Sequence, residues 1–238
     1  MTTATGRSPQ RSVRRSADRG RGEHGWLSSR HSFSFANYYD PDHMGFGHLR
    51  VINEDHVRPG AGFGRHGHRD MEIITFVVTG ELAHQDSTGE RGTLRYGDIQ
   101  VMSAGRGIEH SEFNASAEEP VQFIQIWVEP AQRGGEPSYQ QRFIEPSNGL
   151  SLLVSPDGAD GSLTIRQDAS IYRGVLDAEQ ALTVDLLRPR TYLHLVRGEL
   201  SALDVALKAG DALALTHHPH LKLFATEPAE FLLFDLAE

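Results

Sequence analysis

The sequence predicts an all-β protein built from two small β-barrel domains, and three observations lead to this prediction. Its apolar runs are short, the length of strands rather than of long helices. Polar clusters that contain Gly or Pro separate these runs, as they do between the strands of a sandwich or barrel. A segment of the first half also recurs in the second half, which two copies of one β unit explain most simply.

Residues 1–22 are predicted to form a disordered basic tail. They are rich in Arg, Ser, Gly and Thr and show almost no apolar periodicity, so they cannot bury enough surface to become ordered. The first 30 residues hold seven arginines, whereas the whole chain has a net charge of −9. Because the body of the protein is therefore acidic, binding of nucleic acid through the folded domains is disfavoured.

Residues 23–145 are predicted to form the N-terminal barrel. Its clearest strands are apolar runs separated by turn-forming clusters, and they lie at residues 49–52, 72–78, 99–102 and 121–128. Residues 130–143, which are rich in Gln, Gly, Pro and Glu, are interpreted as the connection between the domains. The boundary is placed near residue 145, so that residues 146–238 form the C-terminal barrel.

Two short segments of the first barrel recur in the second. The sequence VTGEL at 78–82 is echoed by VRGEL at 196–200, and the pair Gly97-Asp98 is echoed by Gly210-Asp211. In both copies the Gly-Asp pair follows a polar loop and precedes an apolar run. The spacing predicts that both halves have the same strand order.

Composition restricts the chemistry and the location. The chain of 238 residues contains no cysteine, which excludes disulfides and thiolate ligands, so any metal must be bound by nitrogen and oxygen donors. No apolar run reaches 18 residues, and no apolar stretch follows the first arginines. We therefore expect no membrane span and no secretory signal, and a cytoplasmic protein.

The first barrel carries two pairs of potential metal ligands, His66-x-His68 and His110-x-Glu112. Residues two apart on a strand point to the same face, so each pair projects together and two neighbouring strands can bring the pairs to one point. Three imidazoles and one carboxylate suit a divalent transition metal and leave coordination positions open. Glu72 shares the parity of the histidine pair, and it is assigned to a supporting position that orients an imidazole or a water.

The second barrel is predicted to lack this site. When the two halves are aligned on their repeated segments, Val184 and Leu186 correspond to His66 and His68, and Leu223 and Ala225 correspond to His110 and Glu112. The run at residues 217–220 contains a second His-x-His, but Pro219 interrupts strand pairing, so it is interpreted as a surface turn. The remaining histidines, His84 among them, have no partner at ligand spacing and are expected to be structural or at the surface.

The glycine-framed segments that contain these ligands resemble the paired motifs of cupins, and the run MSAGRGI at 102–108 before His110-x-Glu112 is similar to the pirin family. Further segments resemble the bacterial pirin-like quercetinases: WL at 26–27, HSFSFANYYDP at 31–41, MEI at 71–73, HQD at 84–86 and QIW at 125–127. The resemblance runs from about residue 26 to the C-terminus.

This resemblance implies a bicupin with one metal in the N-terminal barrel, held by His66, His68, His110 and Glu112. Fe(II) is the expected ion, with Mn, Co, Ni, Cu or Zn as alternatives. The implied activity is that of a quercetin 2,3-dioxygenase, which opens a flavonol such as quercetin with dioxygen and releases carbon monoxide. The implied partners are therefore a flavonol-like small molecule and dioxygen.

Two further expectations concern the reaction. Glu112 is proposed as the general base for the flavonol proton as well as a ligand. The substrate pocket is expected to be lined by Phe46, Phe63, Ile124 and Trp127, although aromatic side chains in a barrel commonly serve only as core.

Two other functions stay open at this point. The first is that of a pirin-like regulator, in which the oxidation state of the metal controls binding to a protein partner. The second is that of a cupin isomerase or small-molecule binder without redox chemistry, because one fold supports many activities. Turnover that needs no oxygen would select the latter.

Overall fold

The computed structural model describes residues 8–238, which form 22 strands and two short 3₁₀ helices, Ser16–Asp18 and Ala159–Gly161. The predicted all-β, two-barrel architecture is confirmed. The strands of the first half are β1 (Gln10–Arg14), β2 (Gly20–Glu23), β3 (Leu27–His31), β4 (Leu49–Val57), β5 (Gly62–His68), β6 (Glu72–Thr79), β7 (Glu81–Asp86), β8 (Arg91–Arg95), β9 (Asp98–Ser103), β10 (Ile108–Asn114), β11 (Val121–Val128) and β12 (Ser138–Phe143).

The second half continues the same pattern. Its strands are β13 (Gly149–Ser155), β14 (Leu163–Thr164), β15 (Ala169–Leu176), β16 (Ala181–Asp185), β17 (Arg190–Arg197), β18 (Glu199–Ala202), β19 (Val205–Lys208), β20 (Ala212–Thr216), β21 (His220–Ala225) and β22 (Ala229–Leu236). Within residues 8–238, neither helical segment has the length and apolar character that a membrane-crossing helix requires.

Each barrel consists of a seven-stranded and a four-stranded sheet. The first barrel has the orders β12-β9-β6-β11-β4-β3-β2 and β5-β10-β7-β8, and the second has β1-β20-β17-β22-β15-β13-β14 and β16-β21-β18-β19. The turns at Gly80 and Gly198, predicted to be equivalent, join β6 to β7 and β17 to β18. Both glycines have φ near +80°, and a Cβ at either would overlap a proline carbonyl, so glycine is required at both.

The two seven-stranded sheets share a core between the domains. On β11, Ile124 and Ile126 pack into this core, which also contains Ile171 and Phe234 of the second domain. The alternate residue Phe123 packs inside the first barrel instead. Because the central strands β6 and β22 are buried on both faces, they are nearly continuous apolar runs rather than alternating patterns.

The N-terminal segment is ordered, which corrects the predicted disorder for residues 10–22. β1 pairs with β20 at the edge of the second domain's sheet, and β2 pairs with β3 at the edge of the first. Between them, Arg19 is 3% exposed and lies 2.9 Å from the Glu54 carboxylate. Backbone pairing and ion pairs hold this segment, so its lack of apolar residues was misleading. Residues 1–7 of the predicted tail lie outside the described residues.

The connection between the domains is shorter than predicted. Residues 138–143 form β12, which pairs with β9 at the edge of the first domain's sheet. The chain passes to the other seven-stranded sheet between Phe143 and Gly149, a segment that contains the predicted boundary.

Candidate metal centre

The two predicted ligand pairs meet in the four-stranded sheet of the first barrel. β5 and β10 are antiparallel neighbours, and His110 lies directly opposite His66. The Nε2 atom of His110 is 2.9 Å from that of His68 and 3.0 Å from that of His66. Strand pairing therefore brings three imidazole nitrogens to one point.

This arrangement fits a divalent cation better than a hydrogen-bonded cluster. His110 Nε2 faces two other ring nitrogens, and one proton could satisfy only one of those contacts. Two ligands at about 2.1 Å from an ion and at right angles to each other are about 3.0 Å apart, which is close to the observed separations. The Nδ1–H of His66 also donates to the carbonyl of Gly64 at 2.8 Å, which leaves its Nε2 lone pair free to bind a metal.

Glu112 lies beside this cluster, with its Oε2 atom 4.0 Å from His110 Nε2. The side-chain amide of Gln125 donates to the same oxygen at 3.0 Å, and the Thr75 hydroxyl donates to Gln125 at 2.8 Å. Gln100 donates in turn to Thr75 at 3.2 Å. This directional row of buried groups crosses neighbouring strands and ends at the Glu112 carboxylate.

Burial sets the charge states of the site. It raises the pKa of Glu112 to about 7, with Asp55 adding to the rise and Gln125 and Thr75 opposing it. Burial, together with the neighbouring histidines, lowers the pKa of His110 to about 2 and that of His68 to about 4. Neutral imidazoles with available lone pairs are the form that binds metal.

A cavity of about 500 Å³ opens beside the ligands and contains His66, His68 and Glu112 in its wall. Five aromatic side chains also line it: Trp26, Phe35, Phe63, Phe123 and Trp127. The Trp127 ring is 5.0 Å from that of His68, and Phe63 is 6.3 Å from His66. The cavity is therefore a largely apolar slot with the histidine cluster at one side.

Two of the four predicted pocket residues lie elsewhere. Phe63 and Trp127 line the cavity, but Ile124 and Phe46 do not. Ile124 has the opposite parity to Trp127 on β11 and so points into the core between the domains. Phe46 packs on that same core and lies 5.9 Å from the Tyr192 ring of the second domain.

The predicted role of Glu72 is also corrected. Its carboxylate accepts hydrogen bonds from the Ser103 hydroxyl at 2.6 Å and from the Arg166 backbone at 3.3 Å, and neither partner is an imidazole. The parity argument assumed one continuous strand from His66 to Glu72. The chain instead turns at Asp70, where φ is 51°, and β6 begins at Glu72 in the other sheet.

Sequence reasoning missed His84, Asp86 and Gln125. On β7, His84 lies opposite Glu112 and Asp86 lies opposite His110, so all four side chains share one inner face. His84 and Asp86 are two residues apart, like the members of the two proposed ligand pairs, so both point to one face of the strand. This spacing could have indicated that His84 and Asp86 belong to the site. Gln125 could have been found from its parity with Trp127.

Aliphatic side chains replace the ligands in the second barrel. The register of β16 with β21 and of β18 with β21 places Val184 opposite Leu221 and Leu223 opposite Ala202. The positions equivalent to His110 and Glu112 are therefore Leu221 and Leu223, two residues before those predicted. Leu221 and Leu223 belong to an apolar core inside this barrel. Within residues 8–238, the clusters of potential metal ligands lie in the first barrel.

The chain has close relatives among known proteins. Residues 12–128 match the family described as Pirin, and residues 152–236 match the family described as Quercetinase C-terminal cupin domain. The chain is 44% identical over 225 residues to "Quercetin 2,3-dioxygenase" of Escherichia coli K12, covering 94% of this chain and 97% of that protein. It is 40% identical over 229 residues to "Pirin-like protein" of Caulobacter vibrioides, covering 92% and 96%.

A solved structure shows the same fold. The bacterial pirin YhhW from Escherichia coli, in complex with nickel(II), matches with a TM-score of 0.93 and 41% identity, covering 96% of this chain and 99% of that one.

Proposed function

This chain belongs to the pirin family, and from that premise we propose that it is a metal-dependent dioxygenase that opens a flavonol such as quercetin with dioxygen. The observation that carries the proposal is the approach of the Nε2 atoms of His68 and His66 to that of His110, at 2.9 and 3.0 Å, beside a cavity lined by aromatic rings. The name of the Escherichia coli relative and the nickel(II) complex of the bacterial pirin support it.

His66, His68, His110 and Glu112 would hold one divalent ion, for which we propose Fe(II). Mn, Co, Ni, Cu and Zn suit the same donor set, and availability decides among such ions. When bound, the metal supplies a Lewis acid and open coordination positions beside the cavity.

The cavity selects flat, apolar molecules. Trp127 and Phe35 meet edge to face at 5.4 Å, and Trp26 and Phe63 do so at 5.1 Å, so two aromatic corners border the slot. A flavonol is a planar aromatic molecule with a few polar groups, which matches such a slot. The rings also exclude water from the reacting end of the substrate.

Glu112 is positioned to take the proton of the flavonol hydroxyl. Its carboxylate lies in the cavity wall, and the Gln125 amide holds one oxygen in place. If the carboxylate moved off the ion, it could accept the flavonol proton and release it again.

The proposal is tested by loading the metal-free protein with Fe(II) under anaerobic conditions and then adding quercetin and dioxygen. We expect loss of flavonol absorbance together with oxygen consumption in the wild type. Both should disappear in His66→Ala and fall strongly in Glu112→Gln. Glu109→Gln is the matched control, because Glu109 is an exposed carboxylate on the same strand, and this variant should retain activity.

The other outcomes select other functions. A stoichiometric metal without flavonol or oxygen consumption would contradict the proposal and favour a binding protein that responds to the oxidation state of its metal. Flavonol conversion without oxygen consumption would favour a non-redox cupin activity.

A further inference from the structure

One ring nitrogen of the metal cluster has no hydrogen-bond partner. The His110 side chain is fully buried, and its Nδ1 atom contacts no acceptor among the described residues. A metal-bound histidine usually donates its second ring N–H to a carboxylate, a carbonyl or a water, which fixes the tautomer and the ring orientation. His66 has such a partner in the Gly64 carbonyl, whereas His110 lacks one.

A second buried histidine lies next to His110. The His84 ring is 5.3 Å from that of His110, and its side chain is also fully buried. Its Nε2 atom lies 3.1 Å from Asp86 Oδ2, while its Nδ1 atom has no partner. Asp86 Oδ1 already accepts from the backbone N–H of Thr88 at 2.8 Å and from its hydroxyl at 2.6 Å.

The two unpartnered nitrogens are complementary. Asp86 acts as an acceptor, so the proton of His84 lies on Nε2 and its Nδ1 carries a lone pair. His110 directs its Nε2 lone pair at the metal position, so its proton lies on Nδ1. A buried donor on one ring therefore lies close to a buried acceptor on the next, and leaving both unpaired would be costly.

We propose that His84 is a positioning residue of the metal centre, which accepts the Nδ1–H of His110 through one buried water and is itself held by Asp86. This inference rests on the proposed metal centre. Tyr139 on β12 stacks on His84 with ring centroids 4.7 Å apart and planes 23° apart, and so fixes the plane of its ring. His84 thus links the edge of the barrel to a metal ligand.

The second barrel provides an internal comparison. There the position equivalent to His84 is Ala202, which lies opposite Leu223 as His84 lies opposite Glu112. Ala202 is fully buried in an apolar core. The same strand arrangement therefore forms with alanine at this position. The fold does not require a histidine there, and the histidine is present in the barrel that has the proposed metal ligands.

The test compares His84→Ala with His84→Asn, whose side-chain oxygen replaces the Nδ1 acceptor. Binding of Ni(II) to the metal-free proteins is measured by calorimetry, the ligand field by the visible spectrum of the Co(II) forms, and folding by thermal unfolding without metal. His194→Ala is the control, because it removes a fully buried imidazole that lies outside both clusters of potential ligands and outside the cavity wall.

We expect His84→Ala to weaken Ni(II) binding roughly 10–100-fold and to shift the Co(II) bands. His84→Asn should recover most of the affinity, and His194→Ala should bind Ni(II) like the wild type. Unchanged affinity and spectrum in His84→Ala would overturn the proposal, as would a loss in His84→Asn equal to that in His84→Ala. Absence of Ni(II) binding in the wild type would instead refute the metal centre itself.

Discussion

The metal-free protein should gain stability when Glu112 is replaced by Gln. Burial raises the pKa of this carboxyl to about 7, compared with 4.5 for a free glutamate. Between these two pH values the folded chain retains a proton that the unfolded chain releases, so stability falls as pH rises from 4.5 to 7 and then stays level. The difference corresponds to a cost of about 3 kcal/mol above pH 7, which Glu112→Gln removes.

Thermal unfolding of the metal-free proteins between pH 5 and pH 8.5 measures this effect. A gain of about 3 kcal/mol corresponds to a rise in Tm of roughly 6–12 °C for a chain of this size. The rise should be nearly complete at pH 8, small at pH 5 and absent in Glu109→Gln. With Ni(II) present the order should reverse, since only the wild type has the fourth ligand. If the variant were no more stable than the wild type at pH 8 without metal, burial would not raise the pKa of Glu112 as described.

Three further predictions concern the framework. Ile124→Ala should cost about 2–5 kcal/mol in the free energy of unfolding, because Ile124 is 1% exposed in the core between the domains, yet leave the Ni(II) affinity unchanged. Gly198→Ala should lower stability by more than about 1 kcal/mol, because its φ is +81° and a Cβ would overlap Pro228, and chemical denaturation measures this. Removal of residues 1–18 should lower Tm, because it uncovers the edge of β20 and breaks the ion pair of Arg15 with Asp211. An unchanged Tm would mean that this segment contributes nothing to the fold.

The fold and the meeting of the two proposed ligand pairs could be predicted because both depend on local spacing. Short apolar runs define the strands, and the shared turn at Gly80 and Gly198 reveals the repeat. His66 with His68 and His110 with Glu112 each occupy one face of a single strand, where the period of two holds. Residues two apart can be assigned to the same face only within one continuous strand.

The errors arose where spacing depends on tertiary structure. Glu72 lies beyond the turn at Asp70, so its parity carries no information about the preceding strand. The segment at residues 10–14 is ordered by pairing with a strand 200 residues later, which composition does not reveal. His84 becomes significant only because β7 pairs with β10 and places it opposite Glu112. Register between distant strands therefore determines the surroundings of the ligands.

The most direct measurement is an anomalous-difference map from crystals of the protein loaded with Ni(II). We expect one strong peak per chain at the point where the Nε2 atoms of His66, His68 and His110 converge, within bonding distance of Glu112, and its loss in His110→Ala. A structure without a peak at that point, or with a peak in the second barrel instead, would contradict the central claim.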